Sequence, residues 1–348
     1  MIITFLLHSG IRKPSGGVKI ILDYANALAT NGHKIFIVQP CFLTKETTSF
    51  FNSIRRFLYY KITKRYKPNW FSLHKNVIPR LVWSLKEKNI PTSEICIATF
   101  IETAFWLDTY IRCKQKFYFI QDFENWYTSD FRVYESYKLN LNKIVVSDWL
   151  KQYVESCGQS CKLVFNGFDT KIFYQRNLER PRNTILFMWH EDERKRCIDS
   201  IKAIQIVKEI IPDLKISVFS AFDNPNIKEF NYDFYQKASP ELLSDLYNTH
   251  YVYIAASREE GWGLTVGEAM LCGCAVACTE NNGFKIMAED KVTALVSPIY
   301  DYEKLAANIL QIINNKELHE QLVKNAYEKM QNFSIEKSRK DFISAIIK

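Results

Sequence analysis

The chain has 348 residues, of which 47% are hydrophobic and 24% charged, and its formal net charge is +8. That length and balance suit two globular domains and exclude a disordered, fibrous or low-complexity chain. The basic surplus is compatible with phosphate-bearing ligands, nucleic acid or an anionic membrane surface, and does not choose among them.

The amino terminus, Met1 to Gly10, is apolar but has no basic region and no small-residue cleavage site, so it reads as a buried strand and not as a signal peptide. No stretch approaches the roughly 18 uninterrupted apolar residues of a membrane span, and a cytoplasmic protein is expected. The nine cysteines fit that compartment. None shows paired zinc spacing and the histidines are scattered, so reduced thiols and no metal site are expected.

In chain order, residues 2–7 read as a strand. After Lys13-Pro-Ser-Gly-Gly17, Val18, Ile21, Leu22, Ala25, Leu28 and Ala29 recur at helical spacing. Asn31-Gly32 is a stop signal and residues 34–38 are the next strand, completing a βαβ unit and implying a parallel sheet. Short buried strands follow at 95–98, 116–120, 143–146 and 163–165, and the first domain is placed at 1–173. Gln175–Asn183 is polar, contains Pro181 and reads as a linker. A second series begins at 184 and runs to 333. It has strands at 184–188, 214–219, 251–255 and 275–277, and helices at 198–211, 240–247, 265–272, 303–314 and 317–331. A last helix, 334–348, capped by Ser334, is expected to pack back on the first domain. The fold class is α/β, with two Rossmann-like domains in tandem and ligands expected at the carboxyl ends of the strands.

The segment from Ser257 to Val276 is the most informative. It contains Glu260-Gly-Trp-Gly-Leu-Thr265, then Glu268-Ala-Met270 and Gly273-Cys-Ala-Val276. A strand leads through a Gly-rich loop into a helix whose unpaired N–H groups form a seat for a diphosphate. Glu260 and Glu268 bracket that seat. A carboxylate repels phosphate, so hydroxyls of sugar and ribose are its natural partners.

Here the chain resembles the retaining glycosyltransferases of the GT-B fold, family four. Their hallmark is two glutamates separated by seven residues within this composite pattern; Ala275 stands where proline is usual. The resemblance implies two facing Rossmann-like domains and a nucleotide-diphosphate sugar as co-substrate, with no cofactor and no metal. It implies that Glu268 binds donor ribose, that Glu260 contacts the transferred sugar, and that the backbone at Gly261, Trp262, Gly263, Leu264 and Thr265 cradles sugar and phosphate. Family members place an Arg five residues before a Lys after the first strand of the second domain. This chain keeps Lys195 but has His190 at the Arg position, leaving Arg194 or Arg196 to supply the missing charge, unless these belong to a solvated charge run. Gly16 and Gly17 let the first domain approach the phosphates. Many relatives carry a His near the acceptor hydroxyl, where this chain has Gln121, Asp122 and Glu124, as in a bacterial subgroup. Asp122 and Glu124 are expected on the catalytic side, with capping or pairing as the alternative.

The stretch 53–71 mixes cations with aromatics, which suits either an anionic membrane surface or an ordinary amphipathic helix packed on the sheet. No RNA module is visible and nucleic acid is not expected as a partner. The expectation is transfer of a hexose or deoxyhexose to a glycan or lipid-linked glycan in bacterial surface polysaccharide synthesis. The rivals are a GT-B epimerase or phosphorylase, against which the composite motif argues, and a non-catalytic GT-B subunit serving a partner enzyme or membrane.

Overall fold

Strand β1 (Ile2–Leu6) has its last four residues buried, as a central parallel strand covered on both faces requires. The structure, a computed structural model, describes residues 1–8, 10–12, 14–41 and 50–347. Lys13, in the expected Gly-Gly turn, and Lys348, at the end of the expected last helix, lie outside them. Contacts divide the chain into a first unit, Met1–Asn166 with Glu336–Lys348, and a second, Gly167–Ile335.

In the first unit β1 leads to α1 (Gly16–Thr30), β2 (Lys34–Pro40), α2 (Phe50–Ile62), β3 (Val77–Val82) and β4 (Ile95–Ala98). Then come α3 (Ile101–Asp108), β5 (Gln115–Ile120), α4 (Asp130–Lys138), β6 (Asn142–Val145), α5 (Asp148–Ser156) and β7 (Cys161–Leu163). Ser15 caps α1 by accepting from the Val18 N–H, and Gly32, at φ +86°, ends it as only a glycine does easily. The strands are all parallel in the order β3-β2-β1-β4-β5-β6-β7, so the order reverses between β1 and β4.

The second unit repeats the scheme with β8 (Thr184–Met188), α6 (Cys197–Ile210), β9 (Lys215–Ser220), β10 (Asp233–Gln236), α7 (Pro240–Thr249) and β11 (Val252–Ala255). It continues with α8 (Leu264–Leu271), β12 (Ala275–Thr279), β13 (Leu295–Ser297), α9 (Tyr302–Asn314) and α10 (Lys316–Met330). Its parallel order is β10-β9-β8-β11-β12-β13, reversing between β8 and β11. Ile185, Phe187, Val252 and Ile254 fill its core with Ile204, Val207 and Ile309 from the helices.

Three strands escaped the sequence reading, β3, β10 and β13, and all lie at a sheet edge. They carry little of the apolar run that marks a central strand, and β3 contains Pro79, which an edge tolerates. The first sheet's last strand lies at Cys161–Leu163, ahead of the expected 163–165.

The boundary falls at Asn166/Gly167, not at 173, and the segment expected as a linker lies within the second unit. Its side chains explain why. Phe173 is buried against Tyr247, the Arg176 N–H donates to Asn248 Oδ1, and Arg176 pairs with Asp245. Arg180 donates to the carbonyls of Tyr247, His250, Cys272 and Gly273. A polar stretch can be well fixed when most of its polar groups find partners.

Helix α11 (Ile335–Ile346) completes the first unit from Glu336 onward. Phe342 is fully buried, stacked 4.1 Å from Tyr24 and edge-on to Phe119 at 5.3 Å. Ser338 donates to the Phe165 carbonyl at 2.7 Å and accepts from the Tyr24 hydroxyl at 2.6 Å. Arg339 forms a two-pronged pair with Asp23.

Glu124 is also structural. Its carboxylate is buried, accepts from the Ile101 N–H at 2.6 Å and so caps α3, while the Thr103 hydroxyl accepts from the N–H of Phe100. The expectation that Glu124 faces a catalytic opening is thereby corrected. Helix α3 starts on apolar Phe100 and recruits its capping oxygen from the turn after β5. Burial pushes the Glu124 carboxyl well above the ordinary range, opposed by the Ile101 N–H.

Phe342→Ala is expected to destabilise the first unit by about 3–5 kcal/mol, measured by denaturant unfolding followed with a probe in that unit. For Glu124 the folded pKa lies above the unfolded one, so its contribution is favourable at low pH and is lost as pH rises toward the folded value. Glu124→Gln is therefore expected to raise the unfolding midpoint at pH 8 and leave it unchanged near pH 4. Glu124→Ala, which strands the Ile101 N–H, is expected to lower it at both pH values, by about 1–3 kcal/mol.

Candidate active site

Two loops leave the second sheet where its strand order reverses, one after β8 and one after β11, and such a reversal opens a crevice at the carboxyl ends of the strands. The first loop carries His190 and a short turn, Glu193–Lys195. Asp192 holds that turn by accepting from the Arg194 N–H and by gripping the Arg194 guanidinium at 2.7 Å. Arg196 sits at φ +48° and begins α6. Its guanidinium makes two 2.8 Å bonds to the buried Asp199 and lies 4.7 Å over the Tyr300 ring. Arg194 and Arg196 therefore each have a carboxylate of their own, and neither is the spare cation expected in place of the missing Arg.

Lys195 differs. Its Nζ lies 2.7 Å from Glu260 Oε2, so an ion pair bridges the loop after β8 to the loop after β11. The Arg258 N–H donates to the Arg194 carbonyl at 2.7 Å and ties the same two loops through the backbone. The other Glu260 oxygen accepts from the Ser257 hydroxyl at 2.8 Å. The Ser257 carbonyl in turn accepts from Thr279 Oγ1 and Asn281 Nδ2, which fixes the loop to the end of β12.

His190 is no substitute cation. Its Nδ1 accepts from the Asp192 N–H at 2.9 Å, and its ring meets Phe222 edge-on at 4.7 Å. Burial, with Lys195 close by, holds its pKa below the ordinary value. The imidazole is neutral at pH 7 and offers an Nε2–H as a hydrogen-bond donor.

Helix α8 begins at Gly263, whose φ is +94°; a Cβ there would lie 2.6 Å from the Phe284 ring. No side chain caps α8 or α6, whereas Ser239, Asp301 and Asn315 cap α7, α9 and α10. The two helices starting beside the strand reversal thus keep uncapped N–H groups, including those of Leu264 and Thr265. Their partial positive charge suits an anion. Trp262 is buried against Phe333 at 5.5 Å, so its ring supports the loop, and Gly261 is half-buried beside it. The Thr265 hydroxyl is bonded to buried Tyr253. One turn along α8, Glu268 is buried with the Tyr247 hydroxyl 3.5 Å from Oε2. The structure therefore gathers Lys195, Glu260, Ser257 and His190 around two uncapped helix starts, with Glu268 on one of those helices.

Among first-unit candidates, Gly16 and Gly17 are the first two residues of α1 and both are exposed. A Cβ on Gly17 would lie 3.4 Å from the Gln121 amide, so α1 and the turn after β5 meet there. The Gln121 Oε1 is buried without a hydrogen-bond partner. Asp122 is half-buried and accepts from the Phe123 N–H at 2.9 Å, while Glu124 caps α3 as described. Sequence reading passed over His8, which follows β1, stacks on Phe100 at 4.2 Å and is pushed down to a pKa of about 4 by burial. It also passed over Tyr247, which only the fold brings to Glu268. A histidine just past the first strand was the available signal for His8; Tyr247 had none.

Residues 168–329 match the family model described as glycosyl transferases group 1. A phosphatidyl-myo-inositol mannosyltransferase of Mycolicibacterium smegmatis is 24% identical over 211 residues, 56% of this chain and 53% of that protein. A poly(glycerol-phosphate) alpha-glucosyltransferase of Bacillus subtilis is 24% identical over 148 residues, 40% of this chain and 22% of that protein. The matches thus span about half of the first relative's length and about a fifth of the second's. Among solved structures, Anabaena HepE in complex with UDP and glucose superposes with a TM-score of 0.73 at 15% identity, over 99% of this chain and 98% of that one. Residues 168–329, a little under half of the chain, thus resemble the glycosyl transferases group 1 domain, on a chain with the GT-B fold of two Rossmann-like units.

Proposed function

We propose that the protein is a retaining glycosyltransferase that needs no metal. It moves a hexose or deoxyhexose from a nucleotide-diphosphate sugar to a hydroxyl of a glycan or lipid-linked glycan in bacterial surface polysaccharide synthesis. The observation that carries this reading is the Lys195–Glu260 pair beside the uncapped start of α8. It places a cation, a carboxylate and free helix N–H groups where a diphosphate and a sugar would lie side by side.

In this reading the α8 N–H groups, Lys195 and the Nε2–H of His190 take the charge that develops on the leaving diphosphate. Glu260, held by Ser257, supports the electron-poor sugar carbon, and Glu268 accepts from ribose hydroxyls. The glycosidic bond to the leaving phosphate breaks as the bond to the acceptor oxygen forms on the same face. The proton leaves the acceptor for the departing phosphate, so no second carboxylate is required. By the family resemblance Gly16 and Gly17 belong to phosphate binding and Asp122 to the acceptor side. The HepE complex with UDP and glucose and the mannosyl- and glucosyltransferase relatives support the choice of substrate class.

Helix α2 is assigned to an anionic membrane surface on the cytoplasmic side. Its Leu58, Tyr59 and Ile62 are exposed among Arg55, Arg56 and Lys61. Among the described residues no helix is long and apolar enough to cross a membrane. The second reading, a non-catalytic subunit, draws on the neutral His190 where relatives carry Arg.

Purified protein tested with UDP-, GDP- and dTDP-sugars is expected to bind one donor class and to hydrolyse it slowly or transfer its sugar. Lys195→Ala should lower turnover by about 10²–10³-fold. Glu268→Ala should abolish transfer, and a chelator should change nothing. Chelator-sensitive turnover contradicts the metal-free mechanism, and absence of binding to every donor transfers the assignment to the non-catalytic subunit.

A further inference from the structure

A cavity of about 560 Å³ opens at the amino ends of the second sheet's strands, the end opposite to Lys195 and Glu260. Tyr251, just before β11, and Gly273, just before β12, form its base, and α10 forms a wall through His319 and Lys324. The volume is that of a small-molecule site, and none of the chemistry described above uses it.

Its charge is one-sided. Arg180, Arg182, Lys316 and Lys324 line it against a single carboxylate, Glu320, which already lies 3.5 Å from Lys316. Arg180 is mostly enclosed, and its hydrogen bonds run to four backbone carbonyls and the Asn248 amide oxygen, all uncharged. These bonds engage its terminal N–H groups at the carboxyl ends of α7 and α8, whose dipoles offset part of its charge, so Arg180 acts on the cavity as fixed positive charge and not as a free donor. Arg182 and Lys324 are exposed and have no ion-pair partner among the described residues. One wall is formed by rings, with His319 stacked 3.6 Å from Tyr251 and its Nε2 3.3 Å from the Tyr251 carbonyl. A fixed positive charge with two exposed, unpaired cations around it, beside a ring wall, fits an anionic group attached to a small organic body.

We infer that this cavity is a binding site for a phosphate ester of about sugar-phosphate size, separate from the donor site and independent of the transferase reading. Arg182 and Lys324 supply the donors to the phosphate, and Arg180 adds fixed positive charge behind them. The strands of the sheet lie between the two sites, so occupancy of one does not compete directly with the other.

Calorimetric titration of the full chain with glucose 6-phosphate, and separately with inorganic phosphate, tests this. Glucose 6-phosphate is expected to bind saturably, more tightly than inorganic phosphate, and more weakly as salt rises. The double variant Arg182→Glu/Lys324→Glu changes only exposed side chains, and its thermal unfolding serves as the control for folding. It should lose about tenfold or more in affinity, whereas Lys195→Ala should bind as the parent does. The inference is overturned by absence of saturable binding, by undiminished affinity in the double variant, or by loss in Lys195→Ala instead. Equal affinity for both probes overturns the ester and leaves a site for the free anion.

Discussion

The Lys195–Glu260 ion pair is the contact around which the two loops after β8 and β11 are arranged. Each partner comes from a different loop, and the loops are neighbours only because the strand order reverses between β8 and β11. Both side chains are mostly enclosed, at 18% and 14% exposure, so each depends on the other for its countercharge. Much nearby chemistry serves to keep them in place: Asp192 holds the turn that carries Lys195, and Ser257, itself held by Thr279 and Asn281, orients Glu260.

The same arrangement explains which cations are available and which are not. Four basic or imidazole side chains follow β8 closely, yet Arg194 and Arg196 have carboxylates within their own loop or helix, and His190 is neutral. A count of positive residues in the sequence overstates the charge offered to a diphosphate. In the proposed reading the remainder comes from backbone N–H groups at α6 and α8, the two second-unit helices without a side-chain cap. Leaving them uncapped sacrifices some helix stability and keeps donors free for an anion.

Much of the fold was legible. Central strands such as β1, β8 and β11 are almost wholly apolar, which is what burial on both faces demands, and glycines and caps punctuate the helices. Edge strands were not legible, because β3, β10 and β13 lack that constraint. The loop and helix that carry Glu260 and Glu268 were legible because their spacing is set by one loop and one helical turn, which are local. What failed was non-local. Glu124 was expected at a catalytic surface because its motif after β5 resembles that of a bacterial subgroup, but whether it points out or turns back to cap α3 depends on a helix start 23 residues earlier. The competition for Arg196 by Asp199 is only three residues away and could have been weighed from helical spacing; the Tyr247–Glu268 contact could not.

The most direct measurement is UDP affinity, by calorimetry, in the parent, Lys195→Ala and Glu260→Gln, or with whichever nucleoside diphosphate the donor supplies. If Lys195 is a phosphate-binding cation held ready by Glu260, Lys195→Ala weakens binding. Glu260→Gln, which frees the lysine and removes a negative charge, then strengthens binding while transfer is lost. Weaker binding in Glu260→Gln, to the same degree as in Lys195→Ala, would show that the pair acts as a structural clamp and would contradict the account.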